Sequence, residues 1–212
     1  MPWSIINQHG FRKSLSIGGK PQLYWFFQLS GLFSLLLLVS LASSAASEEL
    51  RTTNPWRVEA AFLRNFAHYV TWPESAFSDD RSPWRICILG NDPFGELLEN
   101  ILKGRTEKGR SFTVHRSDKP SDLHHCQIVY MAYKVSMSRR AALAELKNLP
   151  VLTVSNAPGF LEEGGIIRFD VRDYVEMSIN LDHAHAASLS VPTKMLEVSR
   201  KVIVDGKVRK TR

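Results

Sequence analysis

The two cysteines are the residues of this chain that are best suited to chemistry. Cys87 and Cys126 are the only cysteines among the 212 residues. An ionised thiol is a nucleophile, whereas two cysteines in an exported protein are typical of a disulfide. Because the chain begins with an apparent export signal, described below, the sequence predicts a bond between Cys87 and Cys126. Two buried free thiols are the alternative.

The histidines form two groups whose spacing is poor for a shared metal ion. His124 and His125 are adjacent, and His183 and His185 follow Asp182. Neighbouring residues of a strand point to opposite faces, and residues two apart on a helix also diverge. These side chains are therefore predicted to be solvated rather than metal ligands, and no cofactor is predicted.

The turn at residues 90–95 is the segment that most resembles part of an enzyme. It follows a predicted strand and precedes a helix, which is where α/β folds bind anions. Asp92 places a negative charge there, which favours a capped turn with Asp92 as the N-cap and Pro93 at the first helical position. The chain has no G-x-S-x-G, H-E-x-x-H, P-loop or G-x-G-x-x-G motif. It is thus predicted not to be an enzyme, and an enzyme using this strand-end cleft is a weaker alternative.

Residues 1–46 are interpreted as a signal peptide that is cleaved near Ala46. Three basic residues precede the apolar run 32–41, and small residues follow it. An uncleaved membrane anchor is the alternative, because the apolar stretch approaches the length of a membrane span. Cleavage would place the mature protein in the periplasm.

Removing the signal leaves one domain of ordinary charge. The 166 remaining residues are enough to build a core. The removed segment carries three positive charges and no negative ones, so the net charge falls from +6 to +3. Such a surface does not indicate nucleic-acid binding. The mature chain is divided into a flexible leader at 47–55, an α/β domain at 56–204 and a solvated basic tail at 205–212.

An aromatic-faced helix opens the domain. Val58, Phe62 and Phe66 recur at helical spacing. The helix is predicted to end at Trp72, because the residue before a proline such as Pro73 is pushed out of the helical conformation.

Alternating strands and helices follow, which predicts an α/β fold. The predicted strands are 84–89, 112–115, 126–131, 151–155, 166–171 and 174–180, and the predicted helices are 94–102, 138–146, 181–188 and 192–204. Strand–helix alternation favours parallel pairing with helices on both faces. We therefore predict a three-layer sandwich whose mostly parallel sheet has an order near 2-1-3-4, with the last two strands as an antiparallel hairpin. That order would bring Cys87 close to Cys126.

Two further sets of residues are candidates for binding. Trp72, Pro73 and Phe94 lie on turns, where they either complete the edge of the core or, if exposed together, form a docking patch for a partner. Asn91 and Asn156 follow two predicted strands and could line a ligand cleft.

The order of several short motifs resembles the YfiR-like (YfiR/HmsC) family of periplasmic proteins. The matching segments are 60–67, 72–73, 86–95, 126–130, 151–160, 164–167, 179–181 and 194–196. They span nearly all of residues 57–200. The chain departs from the family pattern at Glu176, where arginine is common, and at Asn156, where aspartate is usual.

The resemblance implies a non-catalytic repressor. It implies that the protein binds the periplasmic domain of a YfiN-type inner-membrane diguanylate cyclase and holds it inactive, which would control cyclic di-GMP and biofilm formation. It also implies a three-layer α/β fold, an oxidised cysteine pair and a possible homodimer that meets the membrane only through its partner.

A small-ligand sensor is the alternative from a different class. Such a module would use the cleft near Asn91 and Asn156 and pass its state to a histidine kinase or a transporter.

Overall fold

The computed structural model describes residues 54–210, except for the side chain of Lys210. The predicted signal peptide, its cleavage near Ala46 and nearly all of the leader at 47–55 lie outside these residues. The helices are α1 (Pro55–Tyr69), α2 (Glu96–Leu102), α3 (Ser136–Glu145), α4 (Leu181–Ala186) and α5 (Thr193–Glu197). The strands are β1 (Trp84–Leu89), β2 (Thr106–Glu107), β3 (Arg110–Ser117), β4 (Ile128–Met131), β5 (Leu152–Ser155), β6 (Ile167–Val171), β7 (Val175–Asn180), β8 (Lys201–Val204) and β9 (Lys207–Lys210).

Helix α1 begins and ends for local reasons. The side chain of Asn54 accepts a hydrogen bond from the backbone N–H of Trp56, and Pro55 occupies the first turn. The helix ends at Tyr69, three residues before the predicted end at Trp72. The reason is that Thr71 is already extended and exchanges two backbone hydrogen bonds with Ser190.

The strands form one nine-stranded sheet within residues 54–210. Its order is β2-β3-β1-β4-β5-β6-β7-β8-β9. Strands β3, β1, β4, β5 and β6 are parallel neighbours, so the predicted 2-1-3-4 order is confirmed. Strands β6 and β7 form the predicted antiparallel hairpin.

Two hydrophobic cores lie on opposite faces of the sheet, which confirms the three-layer α/β sandwich. Ile86 and Ile88 of β1 belong to the first core, which also contains the buried side of α1 and of α2. Cys87 and Leu89 belong to the second core, which is covered by α3. Successive strand residues point to opposite faces, so β1 contributes to both cores in turn.

The predicted disulfide is present in the second core. Cys87 lies in β1 and Cys126 just before β4, with their Cα atoms 6.1 Å apart. Both residues are buried. Because β1 and β4 are adjacent, the bond links two neighbouring segments of the sheet across 39 residues of chain.

The predicted last helix, at 192–204, is wrong in its second half. Helix α5 ends at Glu197, and β8 then pairs in parallel with β7. Val202 and Ile203 are buried in this strand. The β-branched run from Val202 to Val204 is better suited to a strand than to a helix.

The predicted basic tail at 205–212 is exposed over residues 205–209, but residues 207–210 form a strand, β9, that the prediction did not include. Asp205 and Gly206 connect β8 to β9, and both have positive φ angles. An Asp-Gly pair with this geometry makes a two-residue hairpin turn. The charged side chains of residues 205–209 are exposed, while the backbone of β9 pairs antiparallel with β8.

Candidate functional site

A cleft of about 600 Å³ opens at the carboxyl ends of β1, β4 and β5. The chain leaves β1 towards β3 on one side and later returns to β4 on the other side. That reversal is the topological switch point at which open α/β sheets bind ligands. Asn91, after β1, and Asn156, after β5, both line the cleft, so the structure brings the two predicted cleft residues to one site.

A buried carboxyl group, that of Glu59 in α1, lies behind the cleft and is hydrogen-bonded to two residues that line it. Its side chain has no solvent exposure. The hydroxyl of Tyr130 donates to Oε2 of Glu59 at 2.9 Å, and Nδ2 of Asn156 donates to Oε1 at 3.3 Å. Burial raises the pKa of Glu59 to about 7, and the hydrogen bonds from Tyr130 and Asn156 act in the opposite direction. We refer to Tyr130 and Asn156, which line the cleft, together with Glu59 behind them, as the cleft floor.

Sequence reasoning missed Glu59, although a signal was present. Leu63 and Phe66 lie four and seven residues after Glu59, on the buried face of α1. An acidic residue in register with such a face is an exception to the amphipathic pattern. The residues that satisfy it are far away in the chain and could not be identified from the pattern.

One wall of the cleft is held by a buried ion pair between Arg139 of α3 and Glu163. The guanidinium of Arg139 donates to both carboxylate oxygens of Glu163, each at 2.7 Å. It also donates to the carbonyls of Tyr133, Lys134 and Pro158. All five N–H groups of Arg139 are thereby used, and the loop after β4 is tied to the loop after β5.

The ionised form of Glu163 is favoured by its surroundings, whereas burial disfavours the ionised form of Glu59. Hydrogen bonds from Arg139 and from the hydroxyl of Ser136 hold the pKa of Glu163 below its ordinary value. The pair is buried, with 5% exposure of each side chain. Arg139 therefore positions the wall and has no free donor for a ligand.

The side chain of Tyr133 lies at the edge of the cleft against Gly90. Its hydroxyl donates to the carbonyl of Asp118 at 2.6 Å. A Cβ atom at residue 90 would lie 2.6 Å from the tyrosine ring, and the φ angle of Gly90 is +92°. Only glycine fits this position without strain.

Asp92 closes a turn rather than capping a helix as predicted. Its carboxylate accepts hydrogen bonds from the backbone of Phe94 and Gly95 and from Arg116. Gly95 is the N-cap of α2, which begins two residues later than predicted. The short turn brings Asp92 against Arg116 of β3, and this tertiary ion pair fixes its side chain.

Of the two interpretations of Trp72, Pro73 and Phe94, the edge of the core holds for Trp72 and Phe94, and the exposed docking patch does not form. Trp72 and Phe94 are buried and lie at opposite ends of β1. Trp72 packs edge-on against Trp84 at 5.1 Å, whereas Phe94 packs against Tyr130 at 4.8 Å. Both aromatic rings complete the first core, so they cannot form one exposed surface with Pro73.

The histidines do not assemble into a metal site in the described part of the chain. Residues 54–210 contain no cluster of three or more histidine, cysteine, aspartate or glutamate side chains suited to a metal ion. Nδ1 of His183 lies 3.1 Å from the carbonyl oxygen of Gly165, and Asp182 accepts hydrogen bonds from the turn between β8 and β9. Within the same residues, no helix has the length and apolar character needed to cross a membrane.

Comparisons with known proteins identify the family. No curated protein matches the chain. A solved structure of a conserved domain protein from Vibrio cholerae is 11% identical, with a TM-score of 0.46, and the match covers 70% of this chain. The match covers 60% of that protein, so this chain spans less than two thirds of its length. A family model described as YfiR/HmsC-like matches residues 57–200, which is more than half of the chain. The protein therefore belongs to the YfiR/HmsC-like family.

Proposed function

We propose that this protein is a periplasmic, non-catalytic regulator that binds the periplasmic domain of an inner-membrane diguanylate cyclase and represses it. The family match over residues 57–200 is the observation that carries the proposal. The buried disulfide between Cys87 and Cys126 supports export, because such bonds persist in oxidising compartments. Release of the cyclase would raise cyclic di-GMP and promote biofilm formation.

A regulator of this kind needs an exposed docking surface, and two apolar pairs can supply one. Val135 and Met137 lie in the chain between Lys134 and Arg139, which both line the cleft, and Met137 is 79% exposed. Val171 and Tyr174 lie at the turn between β6 and β7, with Tyr174 67% exposed. Exposed apolar groups concentrate at interaction sites, and a homodimer contact is the competing use of either pair.

The proposal is tested by deleting the gene and measuring cyclic di-GMP and surface attachment. We expect both to rise, and complementation with the wild-type gene to restore them. Complementation with Met137→Lys and with Tyr174→Lys tests the two apolar pairs separately. Ser138→Lys is the matched control for Met137→Lys, since it adds the same charge at the neighbouring exposed residue.

A pull-down from membranes identifies the partner directly. The mature protein, residues 47–212, is expected to retain a diguanylate cyclase that mass spectrometry can identify. The variant that fails to restore repression should also fail to retain the cyclase. Unchanged cyclic di-GMP and attachment in the deletion strain would contradict the proposal.

Small-ligand sensing is a second candidate function, favoured by the cleft at the switch point of the sheet. In this case the protein would pass the state of the cleft to a histidine kinase or a transporter. Recovery of a kinase in the pull-down, in place of a cyclase, would favour this candidate.

A further inference from the structure

Most of the hydrogen-bond donors around the cleft are already used inside the protein. The only O–H of Tyr130 and one N–H of Asn156 are donated to Glu59. The hydroxyl of Ser155 donates to the carbonyl of Met131 at 2.7 Å. The five N–H groups of Arg139 are taken up by Glu163 and by backbone carbonyls. The groups of the cleft floor that remain free to bind a ligand are therefore mostly acceptor oxygens.

The electrostatics of the cleft floor also favour a ligand that donates hydrogen bonds, and specifically a ligand with a positive charge. Within residues 54–210, Glu59 forms no ion pair that would offset the cost of burying its charge. The raised pKa of Glu59 reflects the same lack of a cation. A cation arriving above Tyr130 and Asn156 would favour the ionised form of Glu59, and the ionised form would in turn attract the cation.

The walls of the cleft suit a small apolar body that carries this cation. Trp56, Pro93, Tyr133 and Pro158 contribute apolar surface, and the faces of Trp56 and Tyr133 can attract a positive charge. A volume of about 600 Å³ lies within the usual range for a small-molecule site.

We propose that the cleft binds a small organic amine, whose ammonium group lies over the cleft floor and whose apolar part lies between Trp56 and Tyr133. This inference rests on the ligand-sensing candidate and is independent of the cyclase. Lys134 is exposed at the mouth of the cleft, so a carboxylate-bearing ligand held there is the competing chemistry.

Three probes of nearly equal size separate these chemistries. Benzylamine carries the ammonium group, benzyl alcohol is neutral, and benzoate is an anion. Each is titrated into the mature protein and followed by calorimetry and by thermal unfolding, because a ligand that binds only the native state stabilises it. We expect benzylamine to bind about tenfold more tightly than benzyl alcohol, the factor set by a charge-assisted hydrogen bond, and benzoate to bind least.

Variants test whether the cleft floor is responsible. Glu59→Gln removes the charge and is expected to weaken benzylamine binding about tenfold, while the control Glu162→Gln, outside the cleft, leaves it unchanged. If Glu59→Gln does not fold, Asn156→Leu is the second variant. It removes the amide oxygen of Asn156 from the cleft floor and is expected to weaken benzylamine binding in the same way.

Three results would overturn the proposal. The first is that benzylamine at tens of millimolar neither binds nor stabilises. The second is that it binds equally well to Glu59→Gln. The third is that benzoate binds more tightly and loses its binding in Lys134→Ala, which would leave the cleft as a ligand site but reject the amine. None of these results changes the repressor proposal, which is read from cyclic di-GMP in the deletion strain.

Discussion

The two faces of the sheet bury their charged groups in opposite ways. On the first face, below α1, Glu59 is fully buried with two neutral hydrogen-bond donors. On the second face, below α3, the side chain of Glu163 is 5% exposed and is paired with Arg139. The second face also carries the disulfide.

Burial alone therefore does not decide the charge of a carboxyl group in this protein. The pKa of Glu59 is raised to about 7, whereas that of Glu163 lies below its ordinary value. Two causes separate the pKa values: desolvation is the largest influence on Glu59, whereas the hydrogen bonds from Arg139 are the largest influence on Glu163. The second face is thus held by an ion pair and a disulfide, whereas the first face contains a carboxyl group, that of Glu59, that can change its charge near neutral pH.

Breaking the ion pair on the second face should have the largest effect. Arg139→Met leaves Glu163 buried without its cation and frees three carbonyls. We expect a loss of about 3–5 kcal/mol in the free energy of unfolding, measured with urea. The control Arg140→Met, at the exposed neighbouring residue, should cost little. Equal losses in the two variants would contradict the structural role of the pair.

Removing the disulfide should have the next largest effect, on the same face. The double variant Cys87→Ser, Cys126→Ser is expected to lose about 2–4 kcal/mol of stability and to be cleaved faster by proteases. The control is the wild-type protein before and after reduction. Finding two free thiols in the unreduced, denatured wild-type protein would show that the bond does not form.

Neutralising Glu59 on the first face should stabilise the protein, and only at high pH. The folded pKa of about 7 exceeds the ordinary value of 4.5, so stability is fully present below pH 4.5 and falls as the pH rises through 7. Glu59→Gln removes this loss and should be more stable than wild type at pH 8, by up to about 3 kcal/mol at 1.36 kcal/mol per pKa unit. Urea unfolding of both proteins at pH 5 and pH 8 measures the difference.

The control for this prediction is Glu162→Gln, whose carboxyl pairs with Lys201 at the surface. Its pH dependence should not resemble that of Glu59→Gln, since interaction with Lys201 lowers rather than raises the pKa of Glu162. The predicted sign would be contradicted if the stability of the wild type relative to Glu59→Gln were higher at pH 8 than at pH 5.

A smaller effect is expected at the edge of the cleft, where the strands of the sheet end. Gly90→Ala places a methyl group 2.6 Å from the ring of Tyr133 at a φ angle of +92°. We expect a loss of about 2 kcal/mol and a changed cleft, seen as altered benzylamine affinity. Gly104→Ala is the control, because its φ angle is also positive but no heavy atom lies within 4 Å of the added methyl group. Equal losses would show that the tyrosine ring is not held against Gly90.

Much of the fold could be predicted from local patterns. The alternation of strands and helices predicted the parallel order around β1, and that order placed Cys87 near Cys126. The predicted ends of the helices were wrong where pairing with a distant segment of the chain competed with the local sequence pattern. Helix α1 ends early because Thr71 pairs with Ser190, and β8 pairs with β7 where a helix was predicted.

The candidate site could be predicted only in part. Asn91 and Asn156 follow strand ends that the predicted sheet order brings together, so their shared cleft could be expected. The aromatic residues could not be placed in the same way, because a turn residue can point inward or outward. Trp72 and Phe94 point inward, against Trp84 and Tyr130 respectively.

The sequence by itself determined the sheet order, the cysteine pair and the family. These features follow from periodicity and from the order of motifs, which are properties of neighbouring residues along the chain. Only the tertiary structure decided the chemistry of the cleft floor. Tyr130 and Asn156 lie 71 and 97 residues after Glu59, and the packing of α1 across the strand ends brings them to one buried carboxyl group. A local pattern indicates that a side chain is buried, but its charge depends on which distant residues the fold places beside it.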